Sequence, residues 1–376
     1  MSVAVHAVRA SDVAGLQSAV TDALAGGPAV WVTDTGELPE GVPREVGDGV
    51  AAIVQTSGST GSPKRVVLSR AALMASAQAT RDAIGEGDWV LAVPTGYVAG
   101  LMVVVRSVLD GGRLTVVPSG NFVAVDFCAA VARAAIEGRG RVLSSLVPAQ
   151  LVRVLDDIEA RPTAWAELLP VLRILVGGQA LPVAERERAG QLGLSIVRTY
   201  GSAETAGGVI YDGRAIGATR VAGFDGVIHV SGPTLADGYW GEPDRTAAAF
   251  PVIDGVRWYR TQDAGAVVDG VLTVTGRVDD VIVTGGVKVS LGELETCVRE
   301  IDSTAVATWF TDATWGQVPA IVSESPLDPD ATRRHVEAAL SKAHRPYRFV
   351  TGPIPLLASG KPDRAAVHDL AEQLTE

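Results

Sequence analysis

The feature that most restricts the fold is an alternation of short apolar runs with helical stretches between Val50 and Val278. The apolar runs have the length of strands and read AAIVQTS, WVLAVP, RLTVVP, RVLSSLVP and LRILVGG. Between them, residues 69–84, 126–136 and 182–191 have the apolar spacing of helices. This alternation is typical of parallel strands joined by crossover helices. The sequence therefore predicts a mixed α/β fold built from layered α/β subdomains.

The pattern changes at two later points in the chain. From Gly226 short apolar segments alternate with turns (GVIHVSG, VRWYR, AGAVVDGVLTVTG), which predicts a smaller β-rich subdomain. The polar turn GRVDD at 276–280 then precedes a new series of strand-like and helical segments. We therefore predict a large N-terminal domain at 1–278 and a small, mobile α+β C-terminal domain at 279–376.

Composition and charge argue against several classes of partner. The net charge of the 376 residues is −11, whereas binding to nucleic acid phosphates needs a basic face. No apolar run reaches the roughly 18 residues of a membrane-spanning helix. The two cysteines, Cys128 and Cys297, do not indicate a disulfide framework. We expect a cytoplasmic protein that neither binds nucleic acid nor inserts into a membrane.

The strongest local signal is the segment TSGSTGSPKRV, which starts at Thr56, follows a strand-like run and is expected to lead into a helix. A loop of Gly, Ser and Thr can offer several N–H and hydroxyl donors to phosphate oxygens. Gly58 and Gly61 permit close backbone approach, and Lys64 adds positive charge. The loop lacks the Gly-Lys-Ser/Thr ending of the P-loop NTPases. Taken alone, it is either a phosphate-binding loop or an ordinary surface loop.

Five further segments follow this loop in an order that is specific to one group of enzymes. They are YGSAET (200–205), GVIHVSGPTLADGYWG (226–241), YRTQDAG (259–265), GRVDDVIVTGGVKVSLGELE (276–295) and SGKPDR (359–364). Together with the loop they resemble the adenylate-forming superfamily of acyl-CoA synthetases, carrier-protein adenylation domains and luciferases. The resemblance implies that ATP and Mg²⁺ activate a carboxylic acid as an acyl-adenylate, and that coenzyme A then accepts the acyl group as co-substrate.

The resemblance also implies roles for single residues of the nucleotide site. It places Glu204 at Mg²⁺, Tyr200 against adenine, Asp263 at the ribose hydroxyls, and Arg277 at the ribose or a phosphate. Glu204 suits this role because hard cations prefer oxygen ligands. The catalytic residues implied are Glu204, Lys361, Thr60 and Lys64. The other implied nucleotide contacts are Thr56, Ser57, Gly58, Ser59, Gly61, Gly177, Gly178, Gln179, Gly201 and Thr205.

In the C-terminal part, the resemblance makes Lys361 the lysine that bridges the attacking carboxylate and the α-phosphate. Asp279 matches a hinge about which the C-terminal domain changes pose. In the second pose, Gly285, Gly286 and Lys288 would border a tunnel for the pantetheine arm of coenzyme A. The superfamily has a longer segment before the phosphate loop, so the resemblance implies that the first subdomain is truncated here. It leaves a homodimer open.

One segment bears on which acid is activated. In the o-succinylbenzoate–CoA ligases of the menaquinone pathway, an arginine follows a pocket histidine by nine residues. In PTGYVAGLMVVVRS, Tyr97 takes the aromatic position and Arg106 follows nine residues later. SSLVPAQL, which contains Ser145, resembles a further segment of these ligases. The resemblance therefore implies that Tyr97, Arg106 and Ser145 contact o-succinylbenzoate. Without it, Arg106 is interpreted as a water-exposed arginine at the end of a helix.

Other functions remain open from the sequence. One is an aryl or medium-chain acyl-CoA ligase, and another is an adenylation enzyme that loads a carrier protein. The sequence contains no recognisable carrier domain with an attachment serine, which favours a free thiol as acceptor. The third is a non-catalytic nucleotide-binding relative. The joint presence of Lys361, Glu204 and Asp263 argues against it.

Overall fold

The computed structural model describes residues 1–56, 64–278, 280–357 and 362–373. The fold is mixed α/β, as predicted. Several residues implied in the site fall outside this description. These are Ser57, Gly58, Ser59, Thr60, Gly61, Asp279 and Lys361.

The first sheet has six strands and mixes parallel with antiparallel pairs. In spatial order its strands are Gly238–Tyr239, Lys64–Ser69, Val50–Thr56, Ala29–Thr33, Ser2–Arg9 and Glu45–Gly47. The Gly/Ser/Thr loop is followed by the helix predicted at 69–84, but a strand that the sequence did not predict stands before it. Val50–Thr56 pairs with Lys64–Ser69 as an antiparallel hairpin, and the helix begins only at Arg70. The physical reason is the β-branched run around Val66, whose strand is paired along both edges.

The second sheet confirms the predicted parallel strands and crossover helices. Its spatial order is Arg214–Ala215, Gly207–Tyr211, Ser195–Ser202, Leu172–Val176, Val142–Leu146, Asp88–Leu91 and Leu114–Val116. The last five strands of this order are parallel, whereas the first two form an antiparallel edge. The helices around this sheet are Ala124–Glu137, Pro148–Ala160, Pro162–Trp165 and Val183–Gln191.

Three helices, Val13–Leu24, Arg70–Ile84 and Val98–Asp110, pack between the first and second sheets and share one hydrophobic core with them. Val98–Asp110 is apolar on nearly every side, and a helix of this kind is buried. Residues 100–107 are all buried. Arg106 therefore lies inside the protein because it belongs to this helix.

The β-rich subdomain is a four-stranded antiparallel sheet with the order Arg220–Phe224, Val227–Ser231, Tyr259–Val268 and Val271–Arg277. The helix Pro243–Ala249 and a short hairpin of Val252–Ile253 with Val256–Arg257 accompany it. The register of the last two strands sets Asp263 directly opposite Arg277. The β-rich character predicted from Gly226 onward is therefore present.

The C-terminal part has its own sheet and hydrophobic core. Its strands are Val287–Ser290, Val281–Thr284, Gly316–Ser323 and Val306–Asp312 in spatial order, with Arg348–Thr351 also paired to Gly316–Ser323. Its helices are Leu291–Val298, Pro329–Ala339 and Arg364–Gln373, with a 3₁₀ turn at Lys342–His344. The described part of the chain contains no helix long and apolar enough to cross a bilayer.

Candidate active site

Glu204 is held in a tight turn between two strands of the second sheet. The turn is the 3₁₀ segment Ala203–Thr205, and Glu204 is only 4% exposed. The Thr205 hydroxyl accepts from the Ser202 N–H at 2.9 Å and donates to the Gly207 carbonyl at 2.8 Å. A Cβ at Gly201 would lie 2.0 Å from the same carbonyl, so the close approach requires glycine. The Thr205 side chain, implied as a nucleotide contact, therefore maintains the turn that presents Glu204.

Tyr239 is the direct partner of Glu204. Its hydroxyl donates to Glu204 Oε1 at 2.9 Å, and the Tyr239 side chain is itself buried. Burial and the neighbouring Glu204 carboxylate raise the pKa of Tyr239 well above its usual value, so the phenol stays protonated and keeps donating. Lys64 Nζ lies 5.5 Å from the centroid of the same ring. Lys64, at the end of the loop segment, is thus close to the Glu204–Tyr239 pair.

A second tyrosine–carboxylate pair joins three of the implied residues. The Tyr200 hydroxyl donates to Asp263 Oδ2 at 2.6 Å. Arg277 Nη1 lies 3.9 Å from Asp263 Oδ1, and Arg277 Nη2 donates to Gln262 Oε1 at 2.9 Å. Burial first, and Asp263 second, raise the pKa of Tyr200. The structure therefore brings Tyr200, Asp263 and Arg277 into one cluster.

The Gly-Gly-Gln segment lies at the carboxyl end of a parallel strand. Gly177 follows the strand Leu172–Val176, and its N–H donates to the Leu146 carbonyl at 3.2 Å. The carboxyl ends of parallel strands are where α/β sheets bind ligands. Within the described residues, the buried Nε2 of Gln179 has no hydrogen-bond partner. The Gln179 amide is therefore available to donate a hydrogen bond to a ligand at the sheet edge. The preceding residue, Gly178, has a φ of +83°.

The described residues can supply one carboxylate to Mg²⁺ but not a complete protein cage. They contain no group of three or more His, Cys, Asp or Glu side chains able to hold a metal ion. Mg²⁺ is usually bound by one or two carboxylates, together with water and substrate phosphates. Glu204 fits that arrangement, because its buried carboxylate is oriented by Tyr239.

Arg106 is buried, and the interpretation as a water-exposed arginine is wrong. It is 4% exposed, yet no carboxylate of the described residues lies within 4.0 Å of its guanidinium. The described residues also offer its Nε no hydrogen-bond partner. A Cβ built on Gly207 would lie 3.7 Å from Arg106 Nη2. The guanidinium therefore lies beside the strand that follows the Glu204 turn.

The other two implied acid contacts occupy different places. Tyr97 is half-buried and directly precedes the helix Val98–Asp110. At about 1.5 Å per residue it lies roughly 13 Å from Arg106 along the helix axis. Ser145 is buried in the strand Val142–Leu146. The structure therefore does not cluster Tyr97 with Arg106.

In the C-terminal part, the lysine motif is joined to the GELE segment by an ion pair. Arg364 donates to both oxygens of Glu295, at 2.6 and 3.1 Å, and Glu295 is 6% exposed. Arg299 Nη2 lies 2.9 Å from the same carboxylate. Gly285 and Gly286, with φ values of +54° and +84°, form the turn of an exposed hairpin. The exposed Lys288 follows on its second strand.

Sequence reasoning missed Tyr239, Trp89, Glu295 and Arg364. Tyr239, Glu295 and Arg364 stand inside segments that carried the resemblance, so motif membership was an available signal. Trp89, whose ring lies 5.4 Å from the Arg106 guanidinium, had no such signal. Its contact joins a strand to a helix that follows it in the chain.

Comparisons with known proteins agree with the resemblance to the adenylate-forming superfamily. Residues 4–223 match the model of the family described as "AMP-binding enzyme". A protein of Mycobacterium tuberculosis named "Probable 2-succinylbenzoate–CoA ligase" is 38% identical over 344 residues, which cover 87% of this chain and 86% of the relative.

Two solved structures have the same fold. One is the o-succinylbenzoate CoA synthetase of Bacillus subtilis in complex with the acyl-adenylate OSB-AMP. It has a TM-score of 0.73 and 22% identity, with coverage of 93% of this chain and 80% of that chain. The other is the amide bond synthetase McbA of Marinactinospora thermotolerans, with a TM-score of 0.74 and 23% identity, covering 91% of this chain and 75% of that one. The family match and the relative show that this chain belongs to the AMP-binding enzyme family.

Proposed function

We propose that the protein is an ATP-dependent o-succinylbenzoate–CoA ligase that acts through an acyl-adenylate. The observation that carries the choice of acid is Arg106, a buried guanidinium without a carboxylate partner among the described residues, beside the Glu204 turn. The name of the mycobacterial relative supports the same acid.

The charge of Arg106 accounts for a dicarboxylic acid as substrate. Burying a charge without a partner is strongly unfavourable, so the site favours a ligand that brings a negative group. o-Succinylbenzoate has an aliphatic carboxylate that is activated and an aromatic carboxylate that stays charged. A guanidinium can meet the second carboxylate with two parallel hydrogen bonds, which fixes its orientation. Arg106 would thus hold the aromatic end while the aliphatic end reaches the nucleotide.

We place the nucleotide along the two tyrosine–carboxylate pairs. Tyr200 would lie against adenine, with Asp263 and Arg277 at the ribose, and Glu204 would hold Mg²⁺ on the phosphates. When bound, Mg²⁺ would neutralise part of the negative charge of the phosphates. The segment from Thr56 to Lys64 would contact the phosphates, although most of it lies outside the described residues.

The C-terminal domain would take part in both halves of the reaction. We propose that the boundary between the N-terminal and C-terminal domains lies at 278/279 and that Asp279 is the hinge between them. In one pose Lys361 would stabilise charge developing at the α-phosphate. In the other, Gly285, Gly286 and Lys288 would border the path of coenzyme A. Two poses about one hinge are an established form of domain rearrangement.

A panel of acids with ATP and Mg²⁺ tests the proposal. We expect pyrophosphate release to be fastest with o-succinylbenzoate, and the CoA thioester to form when coenzyme A is added. The panel should include benzoate, a medium-chain fatty acid and 4-oxo-4-phenylbutanoate, which is o-succinylbenzoate without the aromatic carboxylate. A preference for benzoate or the fatty acid would reject the substrate. Absence of pyrophosphate release with every acid would reject the activity.

Replacing Tyr239 tests the metal assignment. We expect Tyr239→Phe to raise the Mg²⁺ concentration needed for half-maximal adenylation by about 10- to 100-fold, as is typical when a group that orients a metal ligand is removed. The KM for o-succinylbenzoate should change little. The measurement is pyrophosphate release as a function of free Mg²⁺.

The matched control is Tyr211→Phe. Tyr211 is also a buried tyrosine, but its hydroxyl bonds to Thr80 Oγ1 at 2.9 Å and not to Glu204. It should leave the Mg²⁺ dependence unchanged. Equal Mg²⁺ dependence in the two variants would argue against Glu204 as the metal ligand.

A further inference from the structure

Trp89 lies under the guanidinium of Arg106. The Arg106 Cζ is 5.4 Å from the centroid of the indole, and Trp89 is 1% exposed in the strand Asp88–Leu91. The indole Nε1 donates to Asp110 Oδ2 at 2.9 Å. Asp110 Oδ1 in turn accepts from Arg81 Nε at 3.0 Å. Arg81, Asp110, Trp89 and Arg106 thus form a connected series, in which the face of the indole meets the Arg106 guanidinium.

An aromatic face stabilises a buried cation differently from a carboxylate. A carboxylate would neutralise Arg106, but it would also occupy the N–H donors that a substrate must use. The face of an indole attracts the cation through its quadrupole. It leaves the in-plane N–H groups of the guanidinium available. Trp89 therefore offsets part of the cost of burying Arg106 without competing for its hydrogen bonds.

Asp110 strengthens this arrangement from the edge of the ring, where it accepts the indole N–H. Hydrogen bonds in a chain polarise one another, and an indole N–H donated to a carboxylate shifts electron density toward the ring. Asp110 is buried, and its other oxygen is fixed by Arg81. Asp110 also stands one helical turn after Arg106, so its negative charge acts on the guanidinium through space as well as through Trp89.

We propose that Trp89, oriented by Asp110, is a positioning residue that keeps the Arg106 donors available for the aromatic carboxylate of the acid. Trp89 would thereby determine selectivity for a dicarboxylic acid over a monocarboxylic one. This inference rests on the proposed function, since it requires Arg106 to bind the acid.

The chain contains a matched control for this arrangement. Trp165 is fully buried, and its Nε1 donates to Asp157 Oδ2 at 2.8 Å. Asp157 Oδ1 accepts from Arg161 Nε at 2.8 Å. Among the described residues no cation lies over the Trp165 ring, so this triad repeats the Arg–Asp–Trp series without a guanidinium on its face.

The test compares Trp89→Phe, Trp89→Leu and Trp165→Phe. We expect Trp89→Leu to raise the KM for o-succinylbenzoate by roughly 2- to 30-fold, the range that follows from the strength of cation–π contacts. Trp89→Phe should give a smaller increase because it keeps a ring. In both variants the KM for ATP should stay near that of the wild type. Trp165→Phe should change neither constant, although its melting temperature should fall as that of Trp89→Phe does.

Two results would overturn the inference. One is an equal change in both KM values, which is expected if Trp89 only supports the fold. The other is a KM for o-succinylbenzoate that is the same in Trp89→Phe, Trp165→Phe and the wild type. Trp89→Phe decides the matter even if Trp89→Leu does not fold, because the phenyl ring fills most of the site.

Arg106→Leu separates this inference from the proposed function. In the Arg106→Leu background, adding Trp89→Phe should raise the KM for o-succinylbenzoate no further. If Arg106→Leu alone leaves that KM unchanged, the proposed substrate assignment fails. If Arg106→Leu raises it but Trp89→Phe does not, only the role of Trp89 is rejected.

Discussion

Arg106→Ala is expected to raise the KM for o-succinylbenzoate by about 30- to 5,000-fold. Truncating one partner of a buried charge pair typically costs about 2–5 kcal/mol, because the other charge is left without compensation. The stranded group here would be the aromatic carboxylate of the acid. The KM for ATP should change little, since no hydrogen bond, ion pair or ring contact joins Arg106 to the described residues assigned to adenine or ribose. Initial rates of pyrophosphate release at varied acid and varied ATP measure both constants.

Two comparisons show whether the effect comes from carboxylate recognition. Arg106→Lys should restore little, because lysine lacks the planar fork of donors. The analogue 4-oxo-4-phenylbutanoate should be a poor substrate of the wild type and nearly indifferent to Arg106→Ala. If the variant handled o-succinylbenzoate normally, the buried guanidinium would not be part of the acid site.

Lys361→Ala is expected to slow adenylate formation by roughly 10²- to 10³-fold or more, as losing a group that stabilises charge in the transition state does. Formation of the thioester from supplied acyl-adenylate and coenzyme A should be largely retained, because the proposed lysine acts only in the first pose. The two half-reactions are measured separately, as pyrophosphate release without coenzyme A and as thioester formation without ATP.

Lys342→Ala is the matched control for Lys361→Ala. Lys342 is an exposed lysine of the same C-terminal part and should affect neither half-reaction. If Lys361→Ala slowed adenylate formation and thioester formation equally, the proposal that Lys361 acts only in the adenylating pose would be contradicted. Arg364 anchors the described end of this motif through its ion pair with Glu295.

Elements with a clear local pattern could be predicted from the sequence. The helix expected at 126–136 lies within the observed helix Ala124–Glu137, and the helix expected at 182–191 is observed at Val183–Gln191. Arg106, which without the resemblance is interpreted as water-exposed, is buried because the helix around it is apolar on nearly every side. The strand Lys64–Ser69 was missed because a short apolar run before a helix is ambiguous between strand and helix.

The partners of the site residues could not be predicted in the same way. Tyr239 bonds to Glu204 across 35 residues, and Arg364 to Glu295 across 69. Such pairs depend on how separate strands and helices meet, and no local periodicity encodes them. The motifs identified the residue types of the site. The tertiary fold determines which of them touch.

The central claim is that o-succinylbenzoate is activated as an adenylate. Mass spectrometry of the enzyme mixed with o-succinylbenzoate, ATP and Mg²⁺, first without and then with coenzyme A, tests it most directly. We predict o-succinylbenzoyl-adenylate and pyrophosphate in the first step, and the CoA thioester with AMP in the second. Formation of ADP and phosphate, or no adenylate from this acid while another acid forms one, would contradict the account.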